Sequence, residues 1–198
     1  MRIGIELNGV LRDTLKKIQQ EYEKWYLDNP FKENEEKSEY EVMSYLTSLD
    51  ISKHLKFKDE DELYTFLYKE HTMEIFGHAG SVEVSSMMDV NDFYLDNRDN
   101  HDILIVSDEI GKSKPASLFF ISKFGCLIET VKFYSESTIN SMWDSIDVLL
   151  TANPNLLLNY PQGKIVIKYE TLYNQNIDVE YSITKLKELN TKIKELHD

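Results

Sequence analysis

Short apolar runs alternate with amphipathic stretches in the second half of the chain. Four of these runs have the continuous aliphatic character of buried parallel strands; they are 102–107, 127–133, 147–151 and 164–168. The intervening segments 115–124 and 137–146, and the terminal segment 183–196, carry apolar residues at helical spacing. This alternation predicts an α/β fold with a parallel sheet and right-handed crossovers.

The segment 14–100 follows a different pattern. Its apolar residues recur at helical spacing in four stretches, which are 14–27, 39–49, 61–69 and 82–95. A charged, proline-containing stretch at 28–37 has no apolar period. We therefore predict a helical cap over 14–100, inserted into an α/β core formed by 1–13 and 101–198.

Composition restricts the partners of the chain. Its net charge of −13 over 198 residues disfavours binding to nucleic acid and to anionic membranes, because both require a basic face. No apolar run approaches the roughly 20 residues of a membrane helix, and the single cysteine, Cys126, excludes an intrachain disulfide. We expect a cytoplasmic protein with no nucleic-acid and no membrane partner.

The first strand is followed by the most informative motif. A β-rich run at 2–7 ends in Glu-Leu-Asn-Gly-Val at positions 6–10. This resembles motif I of the haloacid dehalogenase-like (HAD) phosphatases, Asp-x-Asp-Gly-Val/Thr, and is most similar to their 5'(3')-deoxyribonucleotidase branch. Glu6 stands at the position of the nucleophile and Asn8 at that of the acid/base. The resemblance implies a Rossmann-like core with strand order 3-2-1-4-5 and a cap inserted after motif I.

The resemblance extends to the other three motifs. Ser107, at the end of a predicted strand, matches the hydroxyl residue of motif II. Lys114, before a proline, matches the lysine of motif III, and Lys112 is the alternative. Thr151 and Ala152 precede an Asn-Pro pair where motif IV carries its metal-binding acids.

These substitutions argue against phosphatase chemistry. Glutamate carries the attacking oxygen one methylene further than aspartate, and displacement by about 1 Å can cost a hundredfold in rate. An amide at position 8 does not transfer protons, a loss of about 10² to 10⁴. Mg²⁺ usually requires one or two carboxylates, and Glu6 is the only one left at the motif positions. We predict no catalytic residue and no bound metal; the vestigial positions are Glu6, Asn8, Ser107, Lys114, Thr151 and Ala152.

Two residues retain the chemistry of a phosphate site. A hydroxyl and an ammonium beside a helix start attract anions, so Ser107 and Lys114 are the candidates for anion binding. The alternative is that Lys114 forms an ion pair with Glu6, which would hold the old site together without a ligand.

The predicted function is that of a catalytically inactive, HAD-like binding or structural module without a cofactor, with a protein partner or self-assembly. The composition, rich in Lys, Asn, Ile and Tyr, is common in AT-rich genomes, including those of phages. A phage virion protein or a host-interaction protein, in the host cytoplasm or the virion, is one form of this prediction. The alternative is a Mg²⁺-dependent 5'-nucleotidase-like phosphatase, a phosphomonoester hydrolase with a substituted site.

Overall fold

A computed structural model describes residues 1–27 and 50–196. Its sheet is built from six strands: β1 Arg2–Glu6, β2 Asp102–Asp108, β3 Thr130–Tyr134, β4 Val148–Thr151, β5 Ile165–Tyr169 and β6 Tyr181–Ile183. All neighbouring pairs are parallel, in the order β3-β2-β1-β4-β5-β6. Strand β1 lies between β2 and β4, and its last four residues are buried, as expected for a strand that is covered on both faces.

The α/β class and the strand order 3-2-1-4-5 are confirmed, and β6 extends the sheet beyond β5. Strand β6 was not predicted, because the segment 183–196 shows helical spacing. Ile183 instead pairs with Tyr169 at the sheet edge, and the helix begins only after the 3₁₀ turn Leu186–Glu188. A strand of three residues is too short to show alternation, which explains the error.

Seven α-helices are present among the described residues: α1 Thr14–Tyr22, α2 Glu60–Thr65, α3 Ser86–Asn97, α4 Ser113–Lys123, α5 Ile139–Asp144, α6 Pro154–Leu158 and α7 Leu189–Glu195. The segment before α3 also contains the short π-helical turns Glu23–Leu27, Phe66–Glu70 and Met73–Gly77 and the 3₁₀ turn Ile51–Lys53; the remaining 3₁₀ turn is Glu136–Thr138. The predicted loop 28–37 and the predicted helix 39–49 lie outside the described residues. No described helix is both long enough and apolar enough to cross a membrane.

Alternating side chains of the strands pack into separate cores on the two faces of the sheet. One core contains Ile5 of β1 and Ile105 of β2, together with residues of α3, α4 and α7. The other contains Leu104 and Leu149, together with residues of α5 and α6. A third cluster joins the helices of the 14–100 segment to α4, and it includes Ile18, Tyr22, Phe66, Phe76 and Ala116.

Helix α3 belongs by sequence to the predicted cap but packs on the sheet. Its buried residues Met87, Val90 and Phe93 join the first core together with strand residues. The helices of the third cluster therefore contact each other, whereas α3 covers the sheet. The division of the chain into a core and a 14–100 cap stays a prediction.

Candidate functional site

The carboxylate of Glu6 lies at the end of β1 and is only 1% exposed. Both of its oxygens accept hydrogen bonds from residues at the ends of other strands. The Tyr134 hydroxyl at the end of β3 donates to Oε1 at 3.1 Å, and the Thr151 hydroxyl at the end of β4 donates to Oε2. Parallel strands bring their carboxyl ends to the same edge of the sheet, so the topology places both donors beside Glu6.

Burial raises the pKa of the Glu6 carboxyl to about 7, because the charged form loses its hydration. The hydrogen bonds from Thr151 and Tyr134 favour the charged form and oppose this shift, and the charge of Asp108 adds to it. The folded protein therefore holds the proton of this carboxyl to a higher pH than an exposed glutamate would. None of the ion pairs formed among residues 1–27 and 50–196 includes Glu6.

Asn8 occupies a dense hydrogen-bond network. Its amide oxygen accepts hydrogen bonds from Nη2 of Arg12 at 2.6 Å, from Nε of Arg12 at 3.2 Å and from the Thr14 hydroxyl at 2.6 Å. Its amide nitrogen lies 3.4 Å from the hydroxyl of Ser107 and from a carboxylate oxygen of Glu109. An amide oxygen has two lone pairs, and three donors occupy them. The Asn8 side chain therefore makes its hydrogen bonds to other groups of the protein.

Arg12 and Glu109 form an ion pair in which both side chains are 0% exposed. Burial lowers the pKa of the Arg12 guanidinium, and the adjacent Glu109 carboxylate opposes this shift. Arginine nevertheless stays protonated in proteins, so the pair places one full positive and one negative charge inside the fold. The two residues are 97 positions apart in the sequence, and their ion pair is fully buried in the site.

The hydroxyl residue of motif II is buried inside the same network. Ser107 is 0% exposed, and its hydroxyl donates to Oε1 of Glu109 at 3.1 Å. Lys114 is the second residue of α4 and is exposed. The expected ion pair between Lys114 and Glu6 is not formed: the lysine faces solvent and Glu6 is buried among hydroxyl donors. Anion binding by Ser107 and Lys114 stays a prediction.

The motif IV positions support the turn after β4. Thr151 and Ala152 are both 0% exposed. The Thr151 hydroxyl, besides donating to Glu6, accepts from the backbone N–H of Asn153 at 2.9 Å. The Asn153 side chain in turn accepts from the N–H of Asn155 at 2.9 Å and caps α6, whose first residue is Pro154. The surviving Asn-Pro pair thus has a structural role as a helix start.

A cleft of about 780 Å³ adjoins the ends of β1 and β2, and Glu6, Asn8 and Gly9 are part of its wall. Among the described residues that line it, Lys16 carries the one positive charge, against six carboxyl side chains; these are Glu6, Asp13, Glu23, Glu83, Asp108 and Glu170. Ser107, Lys114 and Thr151 do not line it. Tyr173 lies over the Gly9 loop, so that a methyl group on Gly9 would meet the Tyr173 hydroxyl at 2.2 Å.

The side chains at the motif positions fit a Mg²⁺ ion poorly. Octahedral coordination needs oxygen donors with free lone pairs, usually including carboxylates. Three donors saturate the oxygen of Asn8. The Glu6 carboxylate is 1% exposed with a hydroxyl donor on each oxygen, and Thr151 and Ala152 supply no carboxylate. Among the described ranges, no group of three or more His, Cys, Asp or Glu side chains is arranged to hold a metal ion.

Two residues of this site escaped the sequence analysis: Arg12 and Glu109. The place of Tyr134, by contrast, was predictable, because it follows a predicted strand whose end must lie near the end of β1. Arg12 precedes a helix, and Glu109 follows an aspartate after a strand. Both contexts are usually exposed, and nothing local indicates that the two side chains meet.

No protein-family model matches the sequence, and no curated protein matches it significantly. Solved structures do resemble it. A haloacid dehalogenase-like hydrolase from Burkholderia xenovorans LB400 superposes with a TM-score of 0.54 at 11% identity, covering 99% of this chain and 97% of that one. A haloacid dehalogenase-like family hydrolase from Xanthomonas campestris gives a TM-score of 0.50 at 8% identity, covering 99% and 95%. At such identities the likeness establishes a HAD-like fold.

Proposed function

We propose that this chain is a catalytically inactive HAD-like protein, a pseudo-phosphatase that acts by binding or as a structural component. The observation that carries the proposal is the state of Glu6. Its carboxylate is 1% exposed and both oxygens accept hydrogen bonds from the protein. A nucleophile needs a lone pair directed at its substrate within about 3 to 3.5 Å. The Glu6 carboxylate is almost inaccessible to a substrate, and a hydroxyl donor holds each of its oxygens.

The charge of the cleft supports the same proposal. A phosphomonoester is an anion, and enzymes that transfer phosphoryl groups stabilise it with cations. Six carboxyl side chains and one lysine are among the described residues that line this cleft, so their charges disfavour an anion. The engaged oxygens of Glu6 and Asn8 support the further proposal that the protein works without Mg²⁺ or another cofactor.

The competing proposal is a Mg²⁺-dependent phosphatase with a substituted site, of the 5'-nucleotidase type. Glu6 is the observation in its favour, because it keeps a carboxylate in the wall of the cleft at the position of the nucleophile. Its pKa of about 7 leaves a substantial ionised fraction at neutral pH. This proposal requires a rearrangement that releases Glu6 from Tyr134 and Thr151 and that admits a metal.

A hydrolysis assay separates the two proposals. The purified chain, Glu6→Ala and the exposed control Glu129→Gln are assayed with p-nitrophenyl phosphate and with deoxyribonucleoside monophosphates in millimolar Mg²⁺. We expect all three proteins to stay at background. Metal-dependent turnover that is lost in Glu6→Ala and kept in Glu129→Gln would establish the phosphatase instead.

The binding role is tested on the protein in its native source. We propose a protein partner or self-assembly, with a phage virion or a host protein as one setting. Light scattering over a range of concentrations reports self-assembly, and stoichiometric co-purification with the native assembly reports a partner. A chain that stays monomeric and co-purifies with nothing would contradict this part of the proposal.

A further inference from the structure

Arg12 is a fully buried cation in the site, and the proposed function gives it no role. It follows the Gly9 loop, directly before α1, and its side chain is 0% exposed. Burial of a guanidinium costs several kcal/mol unless its N–H groups are satisfied and its charge is balanced. A buried guanidinium is compatible with a stable fold only when its hydrogen bonds and its ion pair offset that cost.

The contacts of Arg12 join four separate parts of the chain. Besides pairing with Glu109, the guanidinium donates to the Asn8 amide oxygen, to the Thr14 hydroxyl at 3.1 Å, to the Phe76 carbonyl at 2.7 Å and to the Ser117 hydroxyl at 2.7 Å. The rings of Phe76 and Phe120 lie 5.2 and 5.5 Å from its central carbon, within the range of cation–π attraction. Arg12 therefore connects the loop after β1 with the Met73–Gly77 turn, with α4 and with the loop after β2.

Glu109 depends on this cation. Its Oε1 accepts from Arg12, from Ser107 at 3.1 Å and from Ser117 at 2.9 Å. Its Oε2 is buried and has no hydrogen-bond partner among the described residues. Without Arg12, a fully buried carboxylate would keep only hydroxyl donors and the Asn8 amide at 3.4 Å, and would have to take up either a proton or a cation from solution.

We infer that Arg12 is a built-in cation of the degenerate site: it balances the buried Glu109 carboxylate beside Asn8 from within the chain, and it attaches the Met73–Gly77 turn to the core. This inference goes beyond the loss of catalysis and rests on the proposal that the site works without metal. It predicts that removing Arg12 creates a cation-binding site. An ordinary buried ion pair would only lose stability.

The test compares Arg12→Met with a matched surface variant, Arg2→Met. Arg2 also pairs with a carboxylate, that of Asp147, but those two side chains are 41% and 40% exposed. Melting temperatures are recorded at pH 8 with and without MgCl₂ or methylguanidinium chloride, and hydrogen exchange is followed at Met73–Gly77. Arg12→Lys, which keeps the charge, and Arg12→Met/Glu109→Met, which removes both charges, complete the set.

We expect Arg12→Met to melt about 10 °C below the natural chain and to exchange faster at Met73–Gly77. Either cation should raise its melting temperature by about 3 °C at ten times the dissociation constant. Arg12→Met/Glu109→Met, Arg2→Met and the natural chain should show no such rise. Arg12→Lys should be less destabilised than Arg12→Met.

Three outcomes would overturn the inference. The first is a folded Arg12→Met that responds to neither cation, or, if that variant does not fold, no recovery on refolding with either cation. The second is equal destabilisation by Arg12→Met and Arg12→Lys, because charge would then be irrelevant. The third is a Mg²⁺-induced rise in the natural chain, because the site would then take a metal beside Arg12. The hydrolysis assay on the same natural protein is independent of these results, so failure of the proposed function is recognised separately.

Discussion

The hydroxyl of Thr151 donates a hydrogen bond to the buried carboxylate of Glu6, across 145 positions of sequence. By resemblance, Thr151 stands where HAD phosphatases carry a metal-binding acid. A carboxylate at this position would repel Glu6 unless a metal lay between them. The hydroxyl removes that repulsion and supplies a donor, so the two strand ends are held together by the protein alone.

Replacing Thr151 by valine should reveal this hydrogen bond. The variant keeps the shape of the side chain but leaves Oε2 of Glu6 and the N–H of Asn153 without the hydroxyl. We expect a loss of about 1 to 3 kcal/mol in the free energy of unfolding, measured by urea denaturation. Thr130→Val, at an exposed position of β3, is the control and should change stability by less than about 0.5 kcal/mol. Equal losses in both variants would show that the Thr151 bond contributes nothing.

The raised pKa of Glu6 predicts a particular dependence of stability on pH. Burial raises the pKa of Glu6 from its ordinary 4.5 to about 7, so the folded state holds the proton to a higher pH than the unfolded chain and protonation of Glu6 favours folding. This contribution is fully present below pH 4.5 and is lost as pH rises through 7. Relative to Glu6→Gln, the natural chain should lose about 2 kcal/mol between pH 5 and pH 8. A constant difference between the two proteins over that range would contradict the assignment.

The sheet was largely predictable because its central strands are buried on both faces. Ile103, Ile105, Val148 and Leu150 form continuous apolar runs, and no other element produces such runs at this length between amphipathic helices. The edge strand Tyr181–Ile183 has a neighbouring strand on one side only, and its first two residues are half-buried. Its sequence therefore does not need to be apolar throughout. Its three residues leave the local pattern ambiguous, and only pairing with β5 decides their conformation.

The positions of site residues were predictable where strand order alone sets them. They were not predictable where they depend on side-chain packing between distant segments. Glu6 and Thr151 end adjacent parallel strands, so their proximity follows from strand order. Lys114 illustrates the limit, because the direction of a lysine near a helix start depends on the phase of a helix whose first residue is Ser113. Arg12 and Glu109 illustrate it further: the hydrogen bonds that permit their burial come from segments distant in sequence.

The exposed position of Lys114 predicts that it is energetically independent of Glu6. Lys114→Met should change the free energy of unfolding by less than about 0.5 kcal/mol. In a double-mutant cycle with Glu6→Gln, the coupling should be no larger than about 0.5 kcal/mol, the range for residues without shared partners. Urea denaturation of the four proteins measures it. A coupling above about 1 kcal/mol would mean that the ammonium reaches the buried carboxylate after all.

Gly9 should tolerate no side chain, for two reasons that can be separated. Its φ of +77° is a left-handed conformation in which an L-residue costs roughly 1 to 2 kcal/mol, and a methyl group there would lie 2.2 Å from the Tyr173 hydroxyl. Gly163 shares the backbone conformation, with φ of +83°, but has open space around it. Gly163→Ala therefore measures the backbone cost alone.

We expect Gly9→Ala to lower the free energy of unfolding by at least about 1 kcal/mol more than Gly163→Ala, because the added methyl group must displace the Tyr173 ring from its packed position. In a Tyr173→Phe background the hydroxyl is absent, and this excess should shrink. Urea denaturation with matched m-values measures all four variants. If Gly9→Ala and Gly163→Ala cost the same, Tyr173 moves aside freely and does not hold the Gly9 loop next to Glu6.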